Sequence, residues 1–328
     1  MNCPKDFYFR VDGLAMQAKE DGLEFGIEDS STPAANSPIT NGQVVGFSGD
    51  SRDYDWNPGL RVAMGFYLNH DAWQLDFAWT WVNATNYQKA NSNTSLGAML
   101  PLYALGVGTT AGAIGSRMSA RWDTHYNTFD IRLGKPHYVS RYFIVNPHFG
   151  LRGGWIDQVF GVDMAGSTSN GTTPNRTIMH AKNDFWGVGA RCGIDTDWVL
   201  GKGWCLFGNV AGSLLFGKFE LDQSYSLPGS SADGYTINDD FYQNVPNMEI
   251  ALGVGWGIYF NKKRNHIGIR AAYEFHEWWD QLNIRKFFSG STGLPTTTPV
   301  TTGIYANDVV SRGNFTLNGF SLRVQFDI

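Results

Sequence analysis

The chain is poor in cysteine and in charge, and both shortages exclude whole classes of protein. Three cysteines in 328 residues cannot staple a fold of this size, so a disulfide scaffold is excluded. Charged residues make up 17%, below the roughly 25% of ordinary soluble domains. The formal net charge of -5 lacks the basic excess of a nucleic-acid binder, so no nucleic-acid partner is expected. No apolar run is long enough to cross a membrane as a helix. No CxxC or HExxH metal motif occurs, and Gly106-Val107-Gly108 lacks the strand–helix context of a nucleotide loop. No cofactor or metal is expected. What is abundant points elsewhere. Aromatics at 15%, with 12 Trp and 39 Gly, rule out disorder. No leader peptide is visible at Met1-Asn2-Cys3-Pro4-Lys5; a cytoplasmic protein and a mature exported form with its leader removed and a start methionine added both fit this opening, and the rest of the sequence favours the second.

Period-2 patterning dominates. In Trp73-Gln74-Leu75-Asp76-Phe77-Ala78-Trp79-Thr80-Trp81 the odd positions are large and apolar and the even ones polar or small. The stretch from Asn247 to Asn261 repeats the pattern. Such alternation marks strands with two unlike faces. Ten strands are predicted near 7–18, 58–69, 72–85, 120–134, 142–157, 183–195, 204–219, 247–261, 266–280 and 315–328. The first may run on toward Glu28, and Leu14 and Met16 fall on its otherwise polar face, which predicts a bulge or a register break there. Short links near 70, 137, 199 and 263 alternate with long ones at 29–57, 86–119, 158–182, 220–246 and 281–314. Bacterial outer-membrane barrels alternate in this way, with short periplasmic turns, long extracellular loops and an even strand count. The fold class predicted is all-β: a transmembrane antiparallel β-barrel of about ten strands, forming one domain over residues 1–328. The apolar stretch Leu96–Gly115, broken by Pro101, is expected to cover the barrel mouth or meet a second subunit, with a short helix at 98–105.

The apolar faces include Leu60, Val62, Met64 and Phe66, Phe149 and Leu151, and Phe320, Leu322 and Val324; these are expected to meet lipid. Trp73, Trp155, Trp204, Trp278 and Trp279 lie near strand ends, where girdle aromatics belong. The opposite faces carry Arg10, Arg61, Arg132, Arg152, Arg191, Arg270 and Arg323, with Asp12, Asp76, Asp130, Glu249, Glu274 and Asp327, and His148 and His276. Arginine facing lipid at mid-bilayer costs about 2–4 kcal/mol, so these residues are assigned to the interior. There they form either a neutralising network or a solute-selecting wall. Seven arginines against six acids predict a weak anion preference. Arg132, Arg191, Arg270 and Arg323, with Arg10, are expected to form a basic zone near the periplasmic end, and Glu249 to lie nearer the outer mouth.

Catalytic signals are thin. His276 beside Glu274 and Glu277 has no further ligand at metal-site spacing. For an outer-membrane protease the only candidates are Asp239, Asp240 and His180, so no enzymatic role is expected. Cys192 and Cys205 flank one short turn but point to opposite faces, and Cys3 is placed to cross-link to another chain.

Four segments carry a family resemblance: Lys19–Phe25, Trp56–Val62, Glu274–Trp279 and Leu317–Ile328. Together the chain resembles the pore-forming major outer membrane protein family of Legionella and environmental chlamydiae. It departs from the Chlamydia branch, which is cysteine-rich, and ends in Ile328 with Phe326 two residues earlier. The resemblance implies an outer-membrane location and a porin-like channel for passive diffusion of small hydrophilic solutes and ions. The alternative is a closed-lumen surface barrel acting as an adhesin or structural component. Outer-membrane lipid and lipopolysaccharide, the barrel-assembly machinery, small solutes and a second copy of the chain are the expected partners.

Overall fold

The computed structural model describes residues 7–29, 42–47, 54–68, 73–91, 98–103, 115–166, 176–226, 234–260, 265–290 and 305–328. Ten long strands carry the alternating pattern: β1 (Phe7–Glu20), β4 (Trp56–Tyr67), β5 (Gln74–Asn91), β7 (Gly115–Gly134), β9 (Phe143–Gly166), β10 (Arg176–Gly201), β11 (Trp204–Ser226), β12 (Tyr235–Phe260), β13 (Asn265–Gly290) and β14 (Tyr305–Asp327). Each pairs antiparallel with its neighbours in sequence, and β1 pairs with β14 to close the cylinder. Closure satisfies every strand edge, as lipid demands of a spanning sheet. The start of β1 meets the end of β14 at the short-turn end, where the Ile328 amide donates to the Phe7 carbonyl at 2.9 Å.

Four short strands decorate the cylinder. β2 (Glu24–Asp29), β3 (Gly42–Gly46) and β6 (Ala98–Pro101) lie at the long-loop end, and β8 (His137–Ser140) folds back on β9 at the other. The first strand does not run to Glu28: it ends at Glu20, turns at Asp21–Gly22 and gives way to β2. The expected helix at 98–105 is the strand Ala98–Pro101 followed by a turn; residues 104–114 lie outside the described residues. No helix occurs among the described residues.

No bulge breaks β1 at Leu14 or Met16: its register with β14 and β4 is continuous there. Both side chains point inward and are buried, because the interior at that height is apolar rather than polar. The same fact explains why the long loops were overestimated. β10 spans 26 residues and β11 spans 23, far more than the 9–11 a bilayer requires. Much of the sequence at 158–182, 220–246 and 281–314 is strand that rises beyond the membrane.

The membrane-facing band is bounded by aromatic pairs. At the short-turn end Phe7 packs on Phe66 (5.2 Å between ring centres), Phe143 stacks on Trp198 (5.6 Å) and Phe260 meets Phe326 (5.9 Å). At the upper edge Trp56 stacks on Phe320 (5.8 Å) and Phe216 on Tyr242 (5.7 Å), and Trp155 lies opposite Trp186. An indole or phenol at such an edge keeps its apolar ring in hydrocarbon and its polar tip in the headgroups. Between the two belts the outward side chains are apolar, among them Leu151, Val188, Val210, Leu252 and Leu322. Trp278, expected in a girdle, faces inward and is fully buried.

Candidate functional site: the barrel interior

Below the upper girdle the interior is ionic. Asp12, on β1, receives Arg61 of β4 (3.1 Å) and Arg323 of β14 (3.0 Å). Arg61 also reaches Glu274 of β13 with both Nη atoms, at 3.0 and 2.8 Å. Two strands separate β4 from β13 in the sheet order, so this pair is a chord across the lumen. Asp76 holds Arg132 at 2.6 Å and accepts the Tyr8 hydroxyl. The Tyr8 ring lies over Gly65, where a Cβ would come within 2.2 Å of it.

A second chord crosses from β9. The Arg152 guanidinium donates to Asp130 at 2.6 and 2.7 Å, to Asn247 at 2.7 Å, and to Glu249 of β12. Glu249 also faces Arg191 at 2.6 Å. His276 stands between Glu249 and Glu274, 3.1 Å from each. Nearer the short turns, Arg270 pairs with Asp197 at 3.0 Å and His266 with Asp327 at 2.7 Å. These side chains leave two polar cavities of about 70 and 130 Å³.

Every arginine, acid and histidine assigned to the interior from the sequence does face inward. The charge count is different. Asp195 and Asp197 also face inward, near Arg132 (3.8 Å), His148 (3.5 Å) and Arg270 (3.0 Å). Added to the six acids already named they make eight carboxylates against seven arginines, which reverses the formal margin behind the expected anion preference. Alternation through Ile194, Asp195, Thr196, Asp197 and Trp198 carried the signal; the predicted strand stopped at 195. Nor is there a separate basic zone. Arg191 lies well up β10 and pairs with Glu249 itself.

Above the upper girdle the interior is packed, a hydrophobic cluster interleaved with buried polar side chains such as Asn86, Gln158, Asn183, Gln223 and Gln281. Tyr126 and Trp278 meet edge to face at 5.9 Å, and Trp278 meets Phe185 at 6.5 Å. Phe185 packs on Phe219 at 4.7 Å, and Trp122 on Phe315 at 6.2 Å. Trp278 fits because β9 carries glycine at 154, where a Cβ would lie 3.2 Å from both Trp278 and Leu215. Higher still, Phe160 meets Phe47 and Tyr103. Met99 and Tyr103, from the stretch expected to cover the mouth, are buried in this core. The seam between the two zones is Arg152, whose guanidinium carbon lies 5.9 Å from the Trp278 ring centre.

One carboxyl sits inside the upper core. Glu20 is buried with neither oxygen hydrogen-bonded in the structure. Burial pushes it well above the usual carboxylate range, and the nearby charges of Asp21 and Glu277 act the same way, against a contribution from Gln158. The sequence analysis does not name Glu20, although it shares the inward parity of Tyr8, Arg10 and Asp12 on β1.

The protease candidates are not assembled. Asp239 faces inward and pairs with Arg285, whereas Asp240 pairs with Lys218 at 3.0 Å on the exterior, and His180 is exposed. Cys192 is exposed toward lipid and Cys205 faces in; both are free. Cys3 lies outside the described residues.

A closed ten-stranded cylinder with a lipid-compatible apolar band and aromatic edges defines a bacterial outer-membrane β-barrel. The chain belongs to the Legionella pneumophila major outer membrane protein family, whose model matches residues 2–328. No curated protein matches it. Among solved structures it is similar to the outer membrane protease OmpT from Escherichia coli, at 9% identity and a TM-score of 0.43, covering 99% of this chain and 96% of that one. It is also similar to the Pseudomonas putida toluene transporter TodX, at 9% identity and a TM-score of 0.28, covering 99% of this chain and 90% of that one.

Proposed function

We propose that this protein is a structural surface barrel of the outer membrane, closed to solutes, that raises an extracellular strand platform above the bilayer. The observation that carries this reading is the upper core. Trp122, Tyr126, Phe185, Phe219, Trp278 and Phe315 come from five strands and are all buried within the cylinder. Interiors packed in this way leave few voids larger than a water molecule. The core is continuous up to Tyr103 and Phe47 near the mouth, too deep for a single side-chain flip to open. Below it, the chords Arg61–Glu274 and Arg152–Glu249 span the lumen.

A porin-like channel for small hydrophilic solutes is the second reading. The two polar cavities in the membrane zone favour it, and it requires the upper core to separate. Liposome swelling in isotonic solutions of small sugars distinguishes the two. The closed barrel swells liposomes no faster than lipid alone, whereas a channel gives rates that fall with sugar size.

A further inference from the structure

We propose that the cavity in the membrane zone of the barrel is a binding site for one small inorganic anion of the halide class, held by Arg191 and Arg10 from opposite walls. The site goes beyond the structural role above and does not depend on whether the lumen conducts.

The argument begins with donors. A guanidinium offers five N–H groups, and a carboxylate accepts about four hydrogen bonds. Around this cavity six arginines stand against six carboxylates: Arg10, Arg61, Arg132, Arg152, Arg191 and Arg323 against Asp12, Asp76, Asp130, Asp195, Glu249 and Glu274. Equal numbers therefore leave N–H groups over. Asp12 takes Arg61 and Arg323, Asp76 takes Arg132 and Tyr8, and Glu249 is shared by Arg152, Arg191 and His276.

Among these arginines, the fully buried N–H groups without a partner belong to Arg191 and Arg10. Arg191 is 8% exposed and, among the described residues, forms its ion pair with Glu249 at 2.6 Å; its Nε and Nη1 have no hydrogen-bond partner. Arg10 is 7% exposed; its nearest acids are Asp76 at 3.7 Å and Asp12 at 4.0 Å, and its Nε is unpartnered. Both residues line the same cavity of about 70 Å³. They come from β10 and β1, which lie on opposite sides of the ten-strand ring. A buried charged donor without a partner is costly. Two of them converging on one small polar space make a site for negative charge. The small volume and the arginine walls select a compact anion over an organic solute, and the acids lining the space disfavour a multiply charged one.

The test uses the full-length folded protein and bromide as the probe. Crystals soaked in sodium bromide should show an anomalous peak in the cavity, in contact with Arg191 and Arg10. In solution, bromide should raise the unfolding midpoint in urea relative to gluconate at equal ionic strength, since gluconate is too large to enter. Arg191→Gln should weaken that bromide response roughly tenfold or more, the loss of one charge-assisted hydrogen bond. Should Arg191→Gln fail to fold, Arg10→Gln gives the same reading, and the wild-type crystal decides without either. A cavity with no anomalous peak at saturating bromide, or equal midpoints in bromide and gluconate, overturns the proposal and assigns the space to water.

Discussion

The two halves of this barrel are built inside out with respect to each other. Below the upper aromatic girdle the exterior is apolar and the interior ionic: Leu151 and Val188 face lipid while Arg152 and Arg191 face in. Above it the interior is Trp122, Phe185 and Phe219, and the exterior carries ion pairs such as Arg121–Asp123 and Lys218–Glu220 at 2.7 and 2.8 Å. The backbone does not change. β11 keeps one register with β12 from Trp204 to Tyr225. What changes is the solvent outside. In hydrocarbon the outward positions must be apolar, and charge can be kept only inside, paired. In water the outward positions take the charge, and the freed interior closes by ordinary hydrophobic burial.

This inversion predicts different responses to truncation in the two halves. The largest loss is expected for Arg152→Ala. Its guanidinium is buried, and removing it leaves Asp130 and Glu249 without that partner; breaking a buried pair costs about 3–5 kcal/mol. Urea unfolding in detergent micelles, followed by tryptophan fluorescence, reads the loss. Replacing Arg152 together with Asp130 by apolar residues should recover part of it, because pairing rather than packing holds the lower zone. Trp278→Ala in the upper core should cost a similar 3–5 kcal/mol or slightly less, and no second substitution of a charge should restore it. If the paired replacement at Arg152 recovers nothing, the distinction between the zones fails.

On the outside the contrast reverses. Leu151→Arg, in the apolar band, should cost about 2–4 kcal/mol when refolding is measured in lipid vesicles. Asp157→Arg, on the same outward face of β9 beyond Trp155, should change stability little, since surface substitutions usually fall within about 0.5 kcal/mol. Equal costs at the two positions would place the membrane boundary elsewhere.

The smallest effect concerns pH. Burial raises the Glu20 carboxyl well above its ordinary range in the folded barrel. A raised folded pKa means that the folded state holds its proton where the unfolded chain has lost it. The associated stability is complete below the unfolded carboxylate pKa and is lost as pH rises through the folded one. Wild-type stability should therefore fall as pH climbs from the acid range, and Glu20→Gln should flatten that decline. A variant whose pH profile matches the wild type would show that Glu20 keeps a solvated, ionised carboxylate.

The sequence made the lower half of the barrel legible and hid the upper half, for the reason the comparison gives. Lipid-facing runs such as Leu60, Val62, Met64 and Phe66 alternate with charge and announce a membrane strand. The same alternation continues through Lys218, Phe219, Glu220, Leu221 and Asp222, but with polar residues outward. The expected strand stops at 219 and the loop begins at 220, where the polar residues turn outward; the strand in fact runs on to Ser226. Trp278 was misplaced for the same cause: near a strand end it suited a girdle, yet parity with Arg270, Glu274 and His276 turned it inward. The chords Arg61–Glu274 and Arg152–Glu249 were not readable, because they join strands that are neither adjacent in sequence nor paired in the sheet.

The proposal that the lumen is closed is tested most directly by electrical recording of the purified wild-type barrel in a planar lipid bilayer with symmetrical salt. The packed interior from Trp278 to Tyr103 predicts that inserted protein, confirmed by its folded electrophoretic form, carries no stepwise current above the bare membrane. Stable unit conductance steps from the folded wild type would contradict it and establish a continuous aqueous path through the barrel.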